Sequence, residues 1–147
     1  ALLLHHTRRL QDAVLAYRRL TALDSTDILI QNNLCACLLD LGQLDEAAAA
    51  AARALQLDPG FAKAHINLGL ILERQGQTDA AIVACRHGSA ADPDNANGHA
   101  NLAVALHSKG ELDAALAAAR QAVALAPEQA LHHANLAMIL QTRGDID

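Results

Sequence analysis

The feature that most constrains this chain is a spacing of 34 residues: Asn33-Leu34, Asn67-Leu68, Asn101-Leu102 and Asn135-Leu136 stand that far apart. Gly42, Gly76, Gly110 and Gly144 keep the same step, as do Pro59, Pro93 and Pro127 and the alanines Ala13, Ala47, Ala81 and Ala115. A fixed period of this length, carried by several residue types at once, marks a stacked array. Each unit is too small to bury its own apolar face, so it must stack on its neighbours. With the glycines at position 15, units begin at Ile28, Ala62, Ala96 and Ala130.

Within a unit, apolar residues recur at helical spacing in two blocks, one on each side of the glycine. From Ala62 the first block holds Ile66, Leu68, Ile71 and Leu72, and the second holds Ala81, Ile82 and Cys85. Glycine can take the left-handed conformation that ends a helix. Asp45, Asp79 and Asp113 then place negative charge in the first turn of the next helix, where it is favoured. Proline at position 32 cannot continue that helix. The unit is therefore helix, tight turn, helix, short turn, with whole repeats expected at 28–61, 62–95 and 96–129. Partial repeats are expected at 1–27 and 130–147, all within one solenoid. In the first of them Arg8 stands in the glycine place and Ser25 in the proline place. The expectation there is the end of one helix up to Thr7 and a second helix from about Leu10 to Leu23. At the other end a single helix is expected, with Gly144-Asp145-Ile146-Asp147 as the turn after it. The chain reads as a piece of a longer array.

The chain is 52% hydrophobic but only 1% aromatic, so its core must be built from alanine, leucine and isoleucine, which suits closely packed helices. The net charge of −5, with no basic run standing out, disfavours a nucleic-acid partner. The alanine run Ala47 to Ala52 is too short to cross a bilayer and is bracketed by Glu46 and Arg53. Ala1-Leu2-Leu3-Leu4-His5 lacks a charged leader and a cleavage site, so neither a secretory signal nor a membrane partner is expected. A soluble, reducing, cytoplasmic setting fits. Cys35 and Cys37 point away from each other on a helix, and Cys85 falls at a small-residue position; all three are expected to act as small buried hydrophobes. His65, His99 and His133 recur at position 4, where half-buried packing is expected. No histidine pair at i, i+4 has a carboxylate beside it, and no nucleophile motif or phosphate loop appears. No metal, cofactor or catalytic residue is therefore expected, and the chain alone is not read as an enzyme.

Leu41-Gly42-Gln43-Leu44-Asp45-Glu46-Ala47 and Ala54-Leu55-Gln56-Leu57-Asp58-Pro59 resemble the tetratricopeptide repeat, and the likeness covers essentially the whole chain. It implies an all-α, right-handed superhelical solenoid whose first helices line a concave, peptide-binding groove. The scarcity of aromatics, Ala103 and Ala137 at position 8 and Gly88 at position 27 depart from the family pattern and bear on groove shape. At about 100° per residue, positions 2, 6, 9 and 13 share one stripe of the first helix and positions 4, 7, 8 and 11 the opposite one. The second stripe must pack on the partner helix, which leaves the first to face the groove.

That stripe sets Asn33, Asn67, Asn101 and Asn135 in register, beside the apolar Ala36, Leu70, Val104 and Met138. Glu73, Arg74, His107 and Ser108, at positions 12 and 13, are candidates for specificity. An amide offers a donor and an acceptor together, which suits the backbone of an extended peptide. The arrangement is similar to the asparagine ladder in the repeats of O-GlcNAc transferases, as is the string His99-Ala100-Asn101-Leu102-Ala103. The expected function is a protein-interaction module that holds an extended peptide or partner protein. In the alternatives the asparagines serve only helix packing, or the chain is the substrate-recognition arm of a larger glycosyltransferase-like enzyme. It could also be a scaffold forming homo-oligomers through exposed repeat ends.

Overall fold

Gly42, Gly76 and Gly110 adopt positive φ angles of 73°, 77° and 85°. That conformation lets the next residue donate back across the helix end: Gln43 N to Leu38 O at 2.9 Å, Gln77 N to Leu72 O at 2.8 Å and Glu111 N to Leu106 O at 2.9 Å. Carbonyls that a helix terminus leaves open are satisfied in this way. In the computed structural model, which describes residues 2–144, these turns separate paired helices. The order is α1 (Leu2–Leu23), α2 (Ile28–Asp40), α3 (Leu44–Leu57), α4 (Ala62–Arg74), α5 (Thr78–Ala91), α6 (Ala96–Lys109), α7 (Leu112–Leu125) and α8 (Ala130–Gly144).

The opening segment differs from the sequence expectation. α1 runs unbroken from Leu2 to Leu23, with no helix end at Thr7 and no turn at Arg8. An arginine does not readily take the left-handed conformation, and no glycine or proline lies in this stretch to stop the helix. The turn expected at 144–147 falls largely outside the described residues; Gly144 itself is the last residue of α8.

Each helix packs on the next, and the first helices α2, α4, α6 and α8 also touch one another in succession. Among the described residues, the backbones of α1, α3, α5 and α7 do not approach one another so closely. The stack therefore curves, with α2, α4, α6 and α8 on its inner side. Close approach within a repeat depends on paired volumes. A Cβ on Gly69 would lie 2.3 Å from Cys85 Sγ, and one on Gly88 would lie 2.6 Å from Ile66 Cγ1. Gly88, which departs from the repeat pattern, thus makes room for an isoleucine where the other repeats carry Asn32 and Ala100. The buried residues form two clusters. One, around Leu34, Leu38, Leu39 and Ile71, spans α1 to α4. The other, around Ala103, Leu106, Leu116 and Ile139, joins α5 to α8.

The short turns between repeats are held by the position-4 histidines. His65 Nε2 meets Pro59 O at 2.8 Å, His99 Nε2 meets Pro93 O at 2.8 Å and His133 Nε2 meets Pro127 O at 2.7 Å. A carbonyl only accepts, so each Nε2 carries the proton and donates. His65 and His99 are half-buried as expected, but His133 is exposed. These histidines clip the turn as well as filling space. Cys35 and Cys85 are buried and Cys37 half-buried. Burial pushes the Cys35 and Cys85 thiols up to about 12, so both remain protonated packing atoms at neutral pH.

Candidate peptide-binding groove

The inner surface is built from side chains on α2, α4 and α6 that repeat one residue out of step with the period. Asn67 Nδ2 donates to Asn32 Oδ1 at 3.2 Å, and Asn101 Nδ2 donates to Ile66 O at 3.2 Å. Arg74 Nη1 donates to Leu39 O at 3.2 Å, His107 Nε2 meets Thr142 Oγ1 at 2.8 Å, and Ser108 Oγ donates to Glu73 Oε1. Every one of these contacts spans 35 residues, so a side chain in one first helix meets the preceding position of the neighbouring one. This offset is how the stack steps sideways as it rises.

A groove of about 400 Å³ opens over these contacts. Asn32 and Ala36 of α2, Asn67 and Leu70 of α4 and Asn101 of α6 line it, with Lys63 and Asn97 at position 2 completing the rim. Of the ten residues expected to form the site, Asn67, Asn101 and Leu70 come together here. Asn33 lies exposed on α2, Asn135 and Val104 are half-buried, and Met138 is 40% exposed on α8. Glu73, Arg74 and His107 sit at the far end of the first helices, and each has one polar atom engaged with the adjacent repeat. The groove asparagines also spend an amide N–H on the neighbouring helix, so each couples packing to the surface it presents.

Sequence reasoning missed Asn32 because position 5 elsewhere is Ile66 or Ala100 and gives no repeating polar signal. Lys63 and Asn97 were legible, since position 2 shares the groove stripe. The clip from histidine to proline was legible too, as a six-residue spacing repeated at 59 and 65, 93 and 99, and 127 and 133. Among the described residues, no group of three or more His, Cys, Asp or Glu side chains is placed to hold a metal ion. No described helix is long and apolar enough to cross a membrane.

The same architecture occurs in solved structures. MamA from Desulfovibrio magneticus RS-1 superposes with a TM-score of 0.79 at 21% identity, over 98% of this chain and 85% of that one. A thermophilic TPR protein of Thermus thermophilus gives 0.77 at 23% identity, over 90% and 73%. The first TPR of Spaghetti (RPAP3), bound to the HSP90 peptide SRMEEVD, gives 0.74 at 18% identity, over 82% and 96%. No curated protein matches the chain. A tetratricopeptide repeat family model matches residues 38–104 and again 72–139, the second match beginning one repeat after the first. With that period, the left-handed glycine turns and the inward-facing first helices, the chain belongs to the tetratricopeptide repeat family.

Proposed function

We propose that the chain is a protein-interaction module whose inner surface holds an extended peptide segment of a partner. One observation carries this reading: a single groove crosses three consecutive first helices and meets an asparagine on each, Asn32, Asn67 and Asn101. Neighbouring packed helices stand roughly 8–10 Å apart and an extended chain advances about 3.3 Å per residue. One amide therefore meets the ligand about every three residues, and Asn33 to Asn135 would follow a segment of about nine or ten. Leu70, Val104 and Met138 supply apolar contacts along this path. Lys63 supplies a cation at the groove rim, and Glu73, Arg74 and His107 flank its far edge. The RPAP3 relative, which holds a peptide on the same fold, supports the reading. Three free cysteines suit a reducing, cytoplasmic setting.

The test is a peptide selected from a displayed random library, with its affinity measured per folded molecule. Each asparagine should contribute about 1 kcal/mol, so Asn67→Ala with Asn101→Ala should weaken binding about tenfold or more. His65→Ala with His99→Ala unclips two turns away from the groove and should lower the melting temperature more than the affinity. Unchanged binding by the double asparagine variant would reduce the ladder to packing. The stripe of α8 opposite the groove favours a second contact, association of copies: Leu140, at position 11, is 45% exposed. Light scattering of Leu140→Glu beside the unaltered chain tests it, and equal, strictly monomeric behaviour of both would remove it.

A further inference from the structure

The charges of this acidic chain are unevenly placed. α1 holds Arg8, Arg9, Arg18 and Arg19 against Asp12, a net +3, so the overall −5 leaves −8 for everything else. Arg18 pairs with Glu46 of α3. Among the described residues, Arg8, Arg9 and Arg19 have no ion pair and are exposed. Arg8, Leu15 and Arg19 fall within roughly 40° of one another around the helix. Leu15 is 53% exposed between the two arginines.

Beside this stripe the outer side of the stack is open. The backbones of α1 and α3 stand apart, and a cleft of about 260 Å³ lies between α1 and the turn that joins α2 to α3. Val14, Leu15 and Leu41 form its apolar part, with Gln11, Arg18 and Gln43 at its edge. The volume falls just below the roughly 300–1,000 Å³ of small-molecule pockets, and suits one bulky side chain.

We infer that the cleft between α1 and the α2–α3 turn, on the face opposite the groove, docks an acidic amphipathic segment of a partner protein. One apolar side chain of that segment enters beside Leu15, and its carboxylates meet Arg8 and Arg19. Charge complementarity selects the partner's sign, because the rest of this chain would repel it and only α1 attracts it. The arrangement favours a protein over a bilayer. An interfacial helix inserts a continuous apolar strip with cations on the opposite face, whereas here the arginines alternate with leucine along one line and the apolar element is a cleft. A side chain seated in a pocket is the usual anchor of a protein interface.

The experiment uses a fluorescent peptide of about sixteen residues, roughly four helical turns, with leucines on one face and glutamates elsewhere. A lysine counterpart and phosphatidylcholine vesicles containing phosphatidylserine are measured alongside. The glutamate peptide should bind and the lysine peptide should not. Arg8→Glu with Arg19→Glu should weaken binding about tenfold or more. Gln43→Trp, which fills the cleft from an exposed position, should do the same while circular dichroism stays unchanged. Asn67→Ala with Asn101→Ala should leave this affinity intact, which separates the site from the groove. Equal binding of both peptides, indifference to Gln43→Trp, or a preference for vesicles over the glutamate peptide would overturn the inference.

Discussion

Leu39 and Glu73 hold the same place, position 12, in successive repeats, yet they sit in different environments. Leu39 is 5% exposed and belongs to the leucine-rich cluster between α1 and α4. Glu73 takes a hydrogen bond from Ser108 on one oxygen, while its Oε2 is buried without a partner. Position 3 shows the same drift. Ala64 is buried in the first seam, Gly98 packs on Ile66 in the second, and His132 is 2% exposed in the third with neither ring nitrogen bonded. Identical geometry is thus filled with increasingly costly chemistry from α2 towards α8. In a one-dimensional stack each seam contributes nearly independently, so the array should be firmest near α2–α3 and should open first near α8.

The sharpest break in this comparison is one change made at its firm end. Leu39→Ala removes most of a buried side chain and should cost about 2–5 kcal/mol. Replacing the unsatisfied polar groups of the later seams with leucine should act oppositely. Glu73→Leu removes an unsatisfied buried oxygen, and His132→Leu two unsatisfied nitrogens at similar volume. Each should gain about 1–2 kcal/mol. At about 2–4 °C per kcal/mol for a chain of this size, calorimetry resolves both. Destabilisation by both leucine substitutions would show that these polar groups are better served than their contacts indicate.

A smaller effect sharpens the account of paired volumes. Gly88→Ala gains helix propensity of about 1 kcal/mol. Its Cβ, however, would lie 2.6 Å from Ile66 Cγ1 and 3.1 Å from Ile66 N, and overpacking costs about 1–3 kcal/mol. The net effect should be a loss near 1 kcal/mol. In an Ile66→Ala background, which restores the alanine at Ala100 of the next repeat, the same change should become stabilising. A double-mutant cycle measures the coupling, and strict additivity would mean that the two side chains do not compete for the space.

These seams mark how far the sequence could be read. The period, the glycine turns and the inward-facing stripe were legible, because each rests on local chain geometry repeated three or four times. What escaped depended on the neighbouring repeat. The offset that brings Asn67 to Asn32 is a property of the stack, and no single repeat contains it. The unbroken α1 escaped for another reason: the repeat pattern was extended over residues where the glycine that enforces it is missing.

The weakest ties lie at the helix ends, where polar side chains join each second helix to the first helix of the next repeat. Gln75 Nε2 reaches Asp45 Oδ1 at 2.9 Å, Lys109 Nζ reaches Asp79 Oδ1 at 2.9 Å and Arg143 Nη2 reaches Asp113 Oδ1 at 3.2 Å, one per seam. The hydrogen bond to Asp79, with its charge and that of Glu111, raises the Lys109 ammonium above its ordinary 10.5. With the folded value above the unfolded one, the contribution is complete below the unfolded value of about 10.4 and is lost as pH rises through the folded one. The pair is exposed and screened by salt, so Lys109→Met should lower Tm only slightly at neutral pH. The difference should shrink both in about 1 M salt and in strong alkali. A deficit that rivals Leu39→Ala, or one that grows with alkali, would mean that these exposed ties, and not the buried seams, carry the stack.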